Sequence, residues 1–234
     1  MSTALSSPAP HAPAHAAAVV PCAVPKRDAL SLVLHAAASI PQACMTQTDP
    51  IVARSIATPL GEMVAAASRD GLCLLEFADR PSLEREVQTL SRVLSRGFVS
   101  ERSSSSLARL APGLEHVDTA QAELEAYFAG RLRDFSVALN LPGSPFERRV
   151  WSTLQTIPYG ETTSYGRMAF RLGQPGAARA VGRANGRNRV AIIVPCHRVV
   201  HEDGTLCGYG GGLERKQRLL DLESDTSVQP ALFA

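Results

Sequence analysis

The chain has 234 residues, of which 45% are hydrophobic and 20% are charged, and its formal net charge is +2 at pH 7. This length allows one large or two small domains with a well-buried core, and no apolar run approaches the roughly 20 residues that a membrane-spanning helix needs. No basic residue precedes Lys26 and no sustained apolar segment occurs there, which argues against a secretory signal. A cytoplasmic location is expected, at the nucleoid if the source is bacterial.

The cysteine pattern argues against disulfide bonds. The chain has five cysteines, and no two of them form a CxxC pair, whereas disulfide frameworks and four-cysteine zinc sites show paired cysteines. We therefore expect reduced thiols and predict neither a metal nor another cofactor. A zinc site assembled from distant side chains stays open as an alternative, with Cys22, His35 and Cys44 as candidate ligands.

Residues 1–50 are rich in Ala, Pro and Ser, a composition that predicts a disordered tail. The next stretch, RSIATPLGEMVAAASRDGLCLLEF, contains short apolar runs that are separated by PLG and RDG. Such breaks are typical of hairpins. They predict strands over residues 52–57, 62–68 and 72–77.

Two helices are predicted after these strands. The first is indicated by apolar residues at helical spacing, namely Leu83, Val87, Leu90 and Leu94. The Ser-rich stretch SERSSSSLARLAPG predicts a loop. The second helix, DTAQAELEAYFAG, is expected to begin at the capping pair Asp118 and Gln121 and to stop at Gly130. Residues 51–141 are thus predicted to form a small α+β domain.

Residues 142–225 are predicted to be mostly helical. In SPFERRVWSTL, Ser144 as the cap, Pro145 in the first helical position and Glu147 in the third give a strong helix start. The final helix is predicted over LERKQRLLDLE, after the turn-rich stretch VVHEDGTLCGYGGG. Residues 226–234 are expected to be a flexible tail.

A helix-turn-helix is indicated between these helices. Ser164 can cap a short helix that ends near Leu172, a Gly/Pro turn follows, and AARAVGRAN resumes a helix that carries arginines. No acidic residue lies between Glu161 and Glu202, whereas seven arginines do. Such a basic stripe suits a polyanion.

The stretch AIIVPCHRVV places Cys196 beside His197, at the end of a predicted buried strand, RVAIIVP. Cysteine is a nucleophile only as the thiolate, so a reactive thiol needs a basic or cationic neighbour. Adjacent side chains on a strand point to opposite faces, so pairing of Cys196 with His197 requires a turn, a helix onset or a bridging water. The alternative is a buried core cysteine beside a structural histidine.

The motifs SYG, AARAVGRAN, PCHRVV and GYGGGLERKQRLLDLE follow one another in this order. In this combination the sequence resembles the O6-alkylguanine-DNA alkyltransferases, also called methylated-DNA-protein-cysteine methyltransferases, from Phe146 to Glu223. The first half, with CLLEF, is most similar to the C-terminal half of bacterial Ada-type proteins. The resemblance implies an α+β fold, in which a small ribonuclease-like domain precedes a mostly helical DNA-binding domain with a helix-turn-helix and an active-site cysteine loop.

The resemblance also implies DNA repair by direct reversal of damage. The alkyl group of O6-alkylguanine would pass irreversibly to Cys196, once per molecule, and the sequence leaves activity on O4-alkylthymine open. The expected partner is double-stranded DNA that contains O6-alkylguanine, and a monomer is expected.

Individual roles follow from the same resemblance. His197 matches the residue that takes the thiol proton through a water, and Glu223 matches the acid that orients it. Tyr165 matches a donor to the departing guanine, and Arg179 matches the finger that enters the duplex from the minor groove. Asn188 matches the residue that holds the recognition helix against the active-site loop.

Further residues are implied in three groups. The DNA-binding group consists of Ser164, Ala178, Arg183 and Arg187. The loop-orienting group adds Pro195 and Arg198 to Asn188. The substrate-pocket group consists of Val199, Tyr209 and Gly210.

Two positions depart from the family pattern. Members commonly have Asn-Pro where this chain has Asn188-Arg189, and some members carry serine at Gly210, so one hydroxyl donor to the base is absent. Two other functions are alternatives. A non-catalytic lesion-binding or helix-turn-helix regulatory module is disfavoured by the presence of Cys196, and a thiol hydrolase would need a histidine that GYGGG does not supply.

Overall fold

The computed structural model of the chain describes residues 28–38, 49–100 and 107–224. In chain order its elements are α1 (Ala29–Ala38), β1 (Ile51–Thr58), β2 (Gly61–Ser68), β3 (Gly71–Phe77), α2 (Leu83–Leu94), β4 (Phe98–Ser100), α3 (Leu107–Phe128), α4 (Pro145–Leu154), β5 (Thr163–Ser164), α5 (Tyr165–Arg171), α6 (Ala178–Gly186), a 3₁₀ turn (Cys196–Arg198), β6 (Val199–Val200) and α7 (Leu213–Ser224). This content confirms the predicted α+β class. Within the described ranges, no helix has both the length and the apolar character to span a membrane.

A four-stranded sheet in the order β3-β2-β1-β4 organises the first half of the chain. The pairs β1–β2 and β2–β3 are antiparallel, and β4 lies parallel to β1. The hairpin between β2 and β3 needs a glycine at Gly71, because its φ is 137° and a Cβ atom would lie 2.6 Å from the Ala138 carbonyl oxygen. The three predicted strands are confirmed.

Side chains of the strands alternate between two cores, as the two-residue period of a strand requires. In β2, Val64 and Ala66 belong to a core with α1 and α2, whereas Met63 and Ala65 belong to the larger core with α3 and the second half. In β3, Leu75 belongs to the same larger core and forms a bridge with Val190 of the second half. This contact is what brings the first domain to the candidate site.

Helix α1 corrects part of the predicted disordered tail. Ala29, Val33, Ala36 and Ala37 are buried in the core beside α2, so one face of this Ala-rich helix is apolar at helical spacing. The prediction failed there because the local composition did not show that the sheet has an open apolar face to cover. The remainder of the tail up to residue 48, with Cys22 and Cys44, and residues 226–234 lie outside the described residues.

Helix α3 begins at Leu107, so the predicted loop was wrong for residues 107–113. Asp118 does not cap the helix, because it lies in the interior of α3; its carboxylate accepts a hydrogen bond from Arg54 Nη1 at 2.6 Å instead. Packing against the sheet decides the earlier start: a Cβ at Gly113 would lie 3.0 Å from the Ala67 carbonyl oxygen, so helix and sheet approach closely there. The helix ends before Gly130, whose φ is 68°.

The helical second half follows its caps. Ser144 and Glu147 form the predicted capping box, and Ser164 Oγ accepts a hydrogen bond from Arg167 N at 3.2 Å to begin α5. Trp151 is buried between α4 and α6 and donates from Nε1 to the Ala184 carbonyl at 2.9 Å. This fixed packing holds α6, the second helix of the helix-turn-helix, at the surface.

Candidate active site

The segment before Cys196 is a series of turns, so the predicted strand RVAIIVP was wrong. Only Val190 bridges to the sheet, where Leu75 N donates to the Arg189 carbonyl at 2.8 Å and Ala191 N donates to the Leu75 carbonyl at 2.8 Å. Ile192 has a φ of 71°, a conformation that costs energy for a β-branched residue. The predicted burial of this segment is confirmed, but turns and tertiary contacts stand in place of the strand hydrogen bonds that the apolar run suggested.

Cys196 lies at the start of a 3₁₀ turn that ends at Arg198. Cys196 and His197 are therefore not on an extended segment, and their side chains need not point to opposite faces. Val199 then pairs with Thr163 in a short parallel ladder. The cysteine loop is thereby tied to the beginning of α5.

Asn188 holds the thiol and its loop. Its Nδ2 lies 3.1 Å from Cys196 Sγ and 2.9 Å from the Val194 carbonyl oxygen, and its Oδ1 accepts from Val190 N at 3.0 Å. Burial raises the pKa of the Cys196 thiol to about 11, although the hydrogen bond from Asn188 favours the thiolate. The resting sulfur is therefore a protonated thiol at neutral pH.

His197, Arg198 and Glu223 form a buried charged cluster behind the cysteine. His197 Nε2 is 2.9 Å from Glu223 Oε1, while Arg198 donates from Nε and Nη2 to both carboxylate oxygens at 2.8 and 2.9 Å. Tyr127 donates its hydroxyl to Glu223 at 2.7 Å. The side chains of His197 and Glu223 are only 0% and 1% exposed, so water does not screen these interactions.

The cluster sets the protonation state of each partner. Burial favours the neutral form of Glu223, but the hydrogen bonds and charges of His197 and Arg198 outweigh it and lower the pKa of the carboxyl to about 2. Burial lowers the pKa of His197 even though Glu223 acts in the opposite direction. At neutral pH, Glu223 is thus a carboxylate that accepts from Nε2–H of a neutral imidazole, which leaves the Nδ1 lone pair available.

A cavity of about 360 Å³ opens beside the thiol, within the range of small-molecule sites. Its walls come from both halves of the chain. The lining residues are Glu76, Arg80, Tyr165, Gly182, Asn185, Gly186, Asn188, Ala191, Cys196, Gly208, Tyr209, Gly210 and Gly211.

Tyr165 places a hydroxyl group in this cavity. Asn185 Nδ2 is 3.5 Å from that oxygen, and the Cys207 thiol is 3.4 Å from it. Burial raises the pKa of Tyr165, and the hydrogen bond with Cys207 adds to the effect. Tyr165 therefore stays protonated and can donate a hydrogen bond.

Helix α6 presents arginines to solvent next to the cavity. Arg179 and Arg183 are exposed, and among the described residues no salt bridge pairs either guanidinium with an acid. Arg187, just after the helix, is held by Glu147 Oε1 at 2.8 Å. Gly182 and Gly186 of the same helix line the cavity, so the exposed arginines and the buried thiol lie on two sides of one element.

Two family models match most of the chain. Residues 51–141 match the ribonuclease-like domain of 6-O-methylguanine DNA methyltransferase, and residues 145–225 match its DNA-binding domain. A methylated-DNA-protein-cysteine methyltransferase of Mycobacterium leprae is 45% identical over 170 residues, which is 73% of this chain and 90% of the relative. The chain belongs to the 6-O-methylguanine-DNA methyltransferase family.

Other members of this methyltransferase family agree. A relative from Mycolicibacterium paratuberculosis is 65% identical over 101 residues, which is 43% of this chain and 61% of the relative. The alignment thus spans about three fifths of that protein. The structure of Mycobacterium tuberculosis OGT in complex with DNA superposes with a TM-score of 0.62 at 40% identity, covering 78% of this chain and 98% of that one.

The structure brings many of the residues implied by the methyltransferase resemblance together, but not all. Tyr165, Asn188, Cys196, Tyr209 and Gly210 line one cavity. Three residues are placed elsewhere: the Ser164 hydroxyl caps α5, Val199 is buried outside the cavity lining, and Pro195 lines a different cavity. Ala178 is half-buried in the first turn of α6.

Sequence reasoning missed the first domain's contribution to the cavity. Glu76 and Arg80 line it; Glu76 lies in the quoted stretch CLLEF, but neither residue was assigned a role in the site. One signal was present, because Glu76 is a charged residue inside the otherwise apolar run GLCLLEF. Among the described residues, no group of three or more His, Cys, Asp or Glu could hold a metal ion, and His35 is exposed on α1.

Proposed function

We propose that this chain repairs O6-alkylguanine in double-stranded DNA by moving the alkyl group to Cys196. The observation that carries the proposal is the position of this thiol, in a base-sized cavity directly behind an exposed helix with arginines. The family membership gives the class of reaction.

The proposed transfer needs no cofactor. The Cys196 proton passes through a water to Nδ1 of His197, whose Nε2–H is held by Glu223. A bond forms between Sγ and the alkyl carbon as the carbon–O6 bond breaks, and that electron pair remains on guanine, which then takes up a proton. The thioether is stable, so each molecule acts once.

The electrostatics of the site support this proton path. With a pKa raised to about 11, Cys196 is inert until a base removes its proton in the loaded site. The charge that develops on His197 is matched by the Glu223 carboxylate, in the manner of an orienting acid in other nucleophilic sites. Tyr165, which stays protonated, can donate to the departing base.

The proposal assigns the DNA contacts to α5 and α6. A guanine in a stacked duplex must rotate out before it can reach Cys196, at a cost of a few kcal/mol. Arg179 is exposed at the beginning of α6, where it can enter the space that the base leaves. Arg183 and Arg187 are suited to phosphate contacts, and Arg187 would exchange Glu147 for a phosphate. We further propose that the protein acts as a monomer in the cytoplasm.

Intact-mass measurement tests the proposal. The full chain is incubated with a duplex that contains one O6-methylguanine, and a permanent gain of one methyl group per molecule is expected. Cys196→Ser should gain no mass, while Cys73→Ala, which removes another buried thiol, should react normally. Lesion binding without mass gain in the natural chain would favour the non-catalytic module, and turnover of acyl substrates would favour a thiol hydrolase.

A further inference from the structure

The first domain supplies two ionisable side chains to the cavity around the thiol, and burial raises the pKa of one of them, Glu76, to about 8. Glu76 is in β3 and Arg80 follows it in the turn towards α2, and both line the cavity that contains Cys196. Their side chains are 2% and 9% exposed. Charged groups are rarely buried to this degree unless their pairing serves the fold or the site.

Four groups anchor the Arg80 guanidinium. Nη1 donates to the Glu76 carboxylate and, at 3.3 Å, to the Asn188 carbonyl. Nη2 pairs with Glu86 at 3.1 Å and donates to the Gly186 carbonyl at 3.1 Å. The guanidinium is therefore held in one orientation between the first domain, the end of α6 and the cysteine loop.

Anchoring leaves the Nε–H group of the guanidinium available. An arginine has five N–H donors, and within the described part of the chain Arg80 forms hydrogen bonds and ion pairs through Nη1 and Nη2 but not through Nε. The same guanidinium touches Asn188, whose amide contacts Cys196 Sγ at 3.1 Å. Arg80 and Cys196 thus line the same cavity and are linked through the backbone and the side chain of Asn188.

Gly210 makes room for this arginine. A Cβ atom at position 210 would lie 2.7 Å from Arg80 Cζ and 3.0 Å from both Nε and Nη1. Gly210 is not among the glycines with positive φ, so its backbone conformation does not require glycine. Any side chain at position 210 would instead force the Arg80 guanidinium to shift from its anchored position, so the absence of a Cβ atom at Gly210 accommodates Arg80 in the cavity wall.

We propose, on the basis of the function proposed above, that Arg80 is a catalytic residue which donates a hydrogen bond from Nε to O6 of the bound alkylguanine. The alkyl carbon must touch Sγ for in-line attack, so O6 must lie close to Cys196 in the cavity that Arg80 also lines. As the carbon–O6 bond breaks, the electron pair moves to the guanine oxygen, and a fixed cation with a free N–H stabilises that charge. The Arg80 charge also acts in favour of the Cys196 thiolate, although the neighbouring Glu76 acts against it.

The test compares Arg80 with a second arginine that links the two halves. Arg215 pairs with Asp79 at 2.8 Å and donates to the Leu60 carbonyl at 2.8 Å, but it does not line the cavity. Transfer rates are measured with free O6-benzylguanine and with methylated duplex. Arg80→Ala should slow both by about 100- to 1000-fold, the effect of losing one fixed donor, and Arg215→Ala should slow neither by more than about threefold.

A steric variant keeps the test independent of folding defects at Arg80. Gly210→Ala keeps the residues Glu76, Arg80 and Glu86 but displaces the Arg80 guanidinium, so it should slow transfer from both substrates. In the Arg80→Ala background the added methyl group has room, and the double variant should be no slower than Arg80→Ala. The rate at which iodoacetamide, which carries no guanine, alkylates Cys196 should change less than about tenfold in every variant, because only the electrostatic effect of the lost cation on the thiolate acts there.

Each result decides between the alternatives. Normal transfer by folded Arg80→Ala, or additive losses in the double variant, would overturn the role of Arg80 and leave the proposed function intact. Equal slowing of iodoacetamide and benzylguanine would show that Arg80 only supports the loop. Absence of any alkyl transfer by the natural chain would overturn the proposed function itself, and this inference with it.

Discussion

Replacing Glu223 with glutamine removes one charge from the buried cluster and keeps its shape. The carboxylate accepts hydrogen bonds from His197, Arg198 and Tyr127 and is only 3% exposed. In Glu223→Gln, the Arg198 guanidinium stays buried without its counter-ion. Such a loss is among the most destabilising changes that a single substitution can make.

The size of the effect follows from the pKa of the carboxyl. The folded protein lowers it from 4.5 to about 2, which at about 1.4 kcal/mol per pKa unit corresponds to about 3 kcal/mol of stability. Breaking a buried ion pair typically costs about 3–5 kcal/mol, which is the same order. Because the folded pKa is lowered, this stabilisation is present above about pH 4.5 and is lost as the pH falls towards 2.

Urea unfolding at pH 7 measures the difference. Glu223→Gln should lower the free energy of unfolding by about 3 kcal/mol, and the difference from the natural chain should shrink as the pH approaches 3. The control is Glu214→Gln in the same helix, which removes an 80% exposed partner of Arg218 and should cost less than about 1 kcal/mol. Equal stability of the two variants would refute the reasoning that the buried charges depend on Glu223.

Three further predictions concern other parts of the molecule. Arg179→Ala should slow repair of duplex DNA by about 10- to 1000-fold, because unstacking is left uncompensated, while the rate with free O6-benzylguanine stays nearly constant; equal slowing of both would contradict a role in base extrusion. Since burial raises the Cys196 pKa to about 11, iodoacetamide labelling of the DNA-free protein should accelerate steadily between about pH 7 and 10, and a plateau near pH 7 would show a preformed thiolate. Val33→Asp should lower the melting temperature by several degrees, because Val33 is fully buried in α1; an unchanged value would mean that α1 contributes nothing to the core.

The sequence by itself determined those features that depend on neighbouring residues. The structure contains the hairpins that turn at PLG and RDG, the capping box at Ser144 and the cap at Ser164, as predicted. Each depends on turn or cap chemistry within a few residues. The order of the motifs around Cys196 was also sufficient to indicate the family, because the residues that carry chemistry are concentrated in a short part of the chain.

Tertiary structure alone decided the local conformation at positions where the sequence signals were weak or competed with packing. The start of α3 at Leu107, the folding of α1 and the turns around Ile192 follow from contacts with the sheet, which no local pattern contains. The same holds for Arg80, which reaches the thiol cavity because β3 packs against the cysteine loop through Leu75. A sequence pattern shows only the spacing of residues along the chain. Which residues line a cavity depends on which surfaces come together when apolar faces are buried.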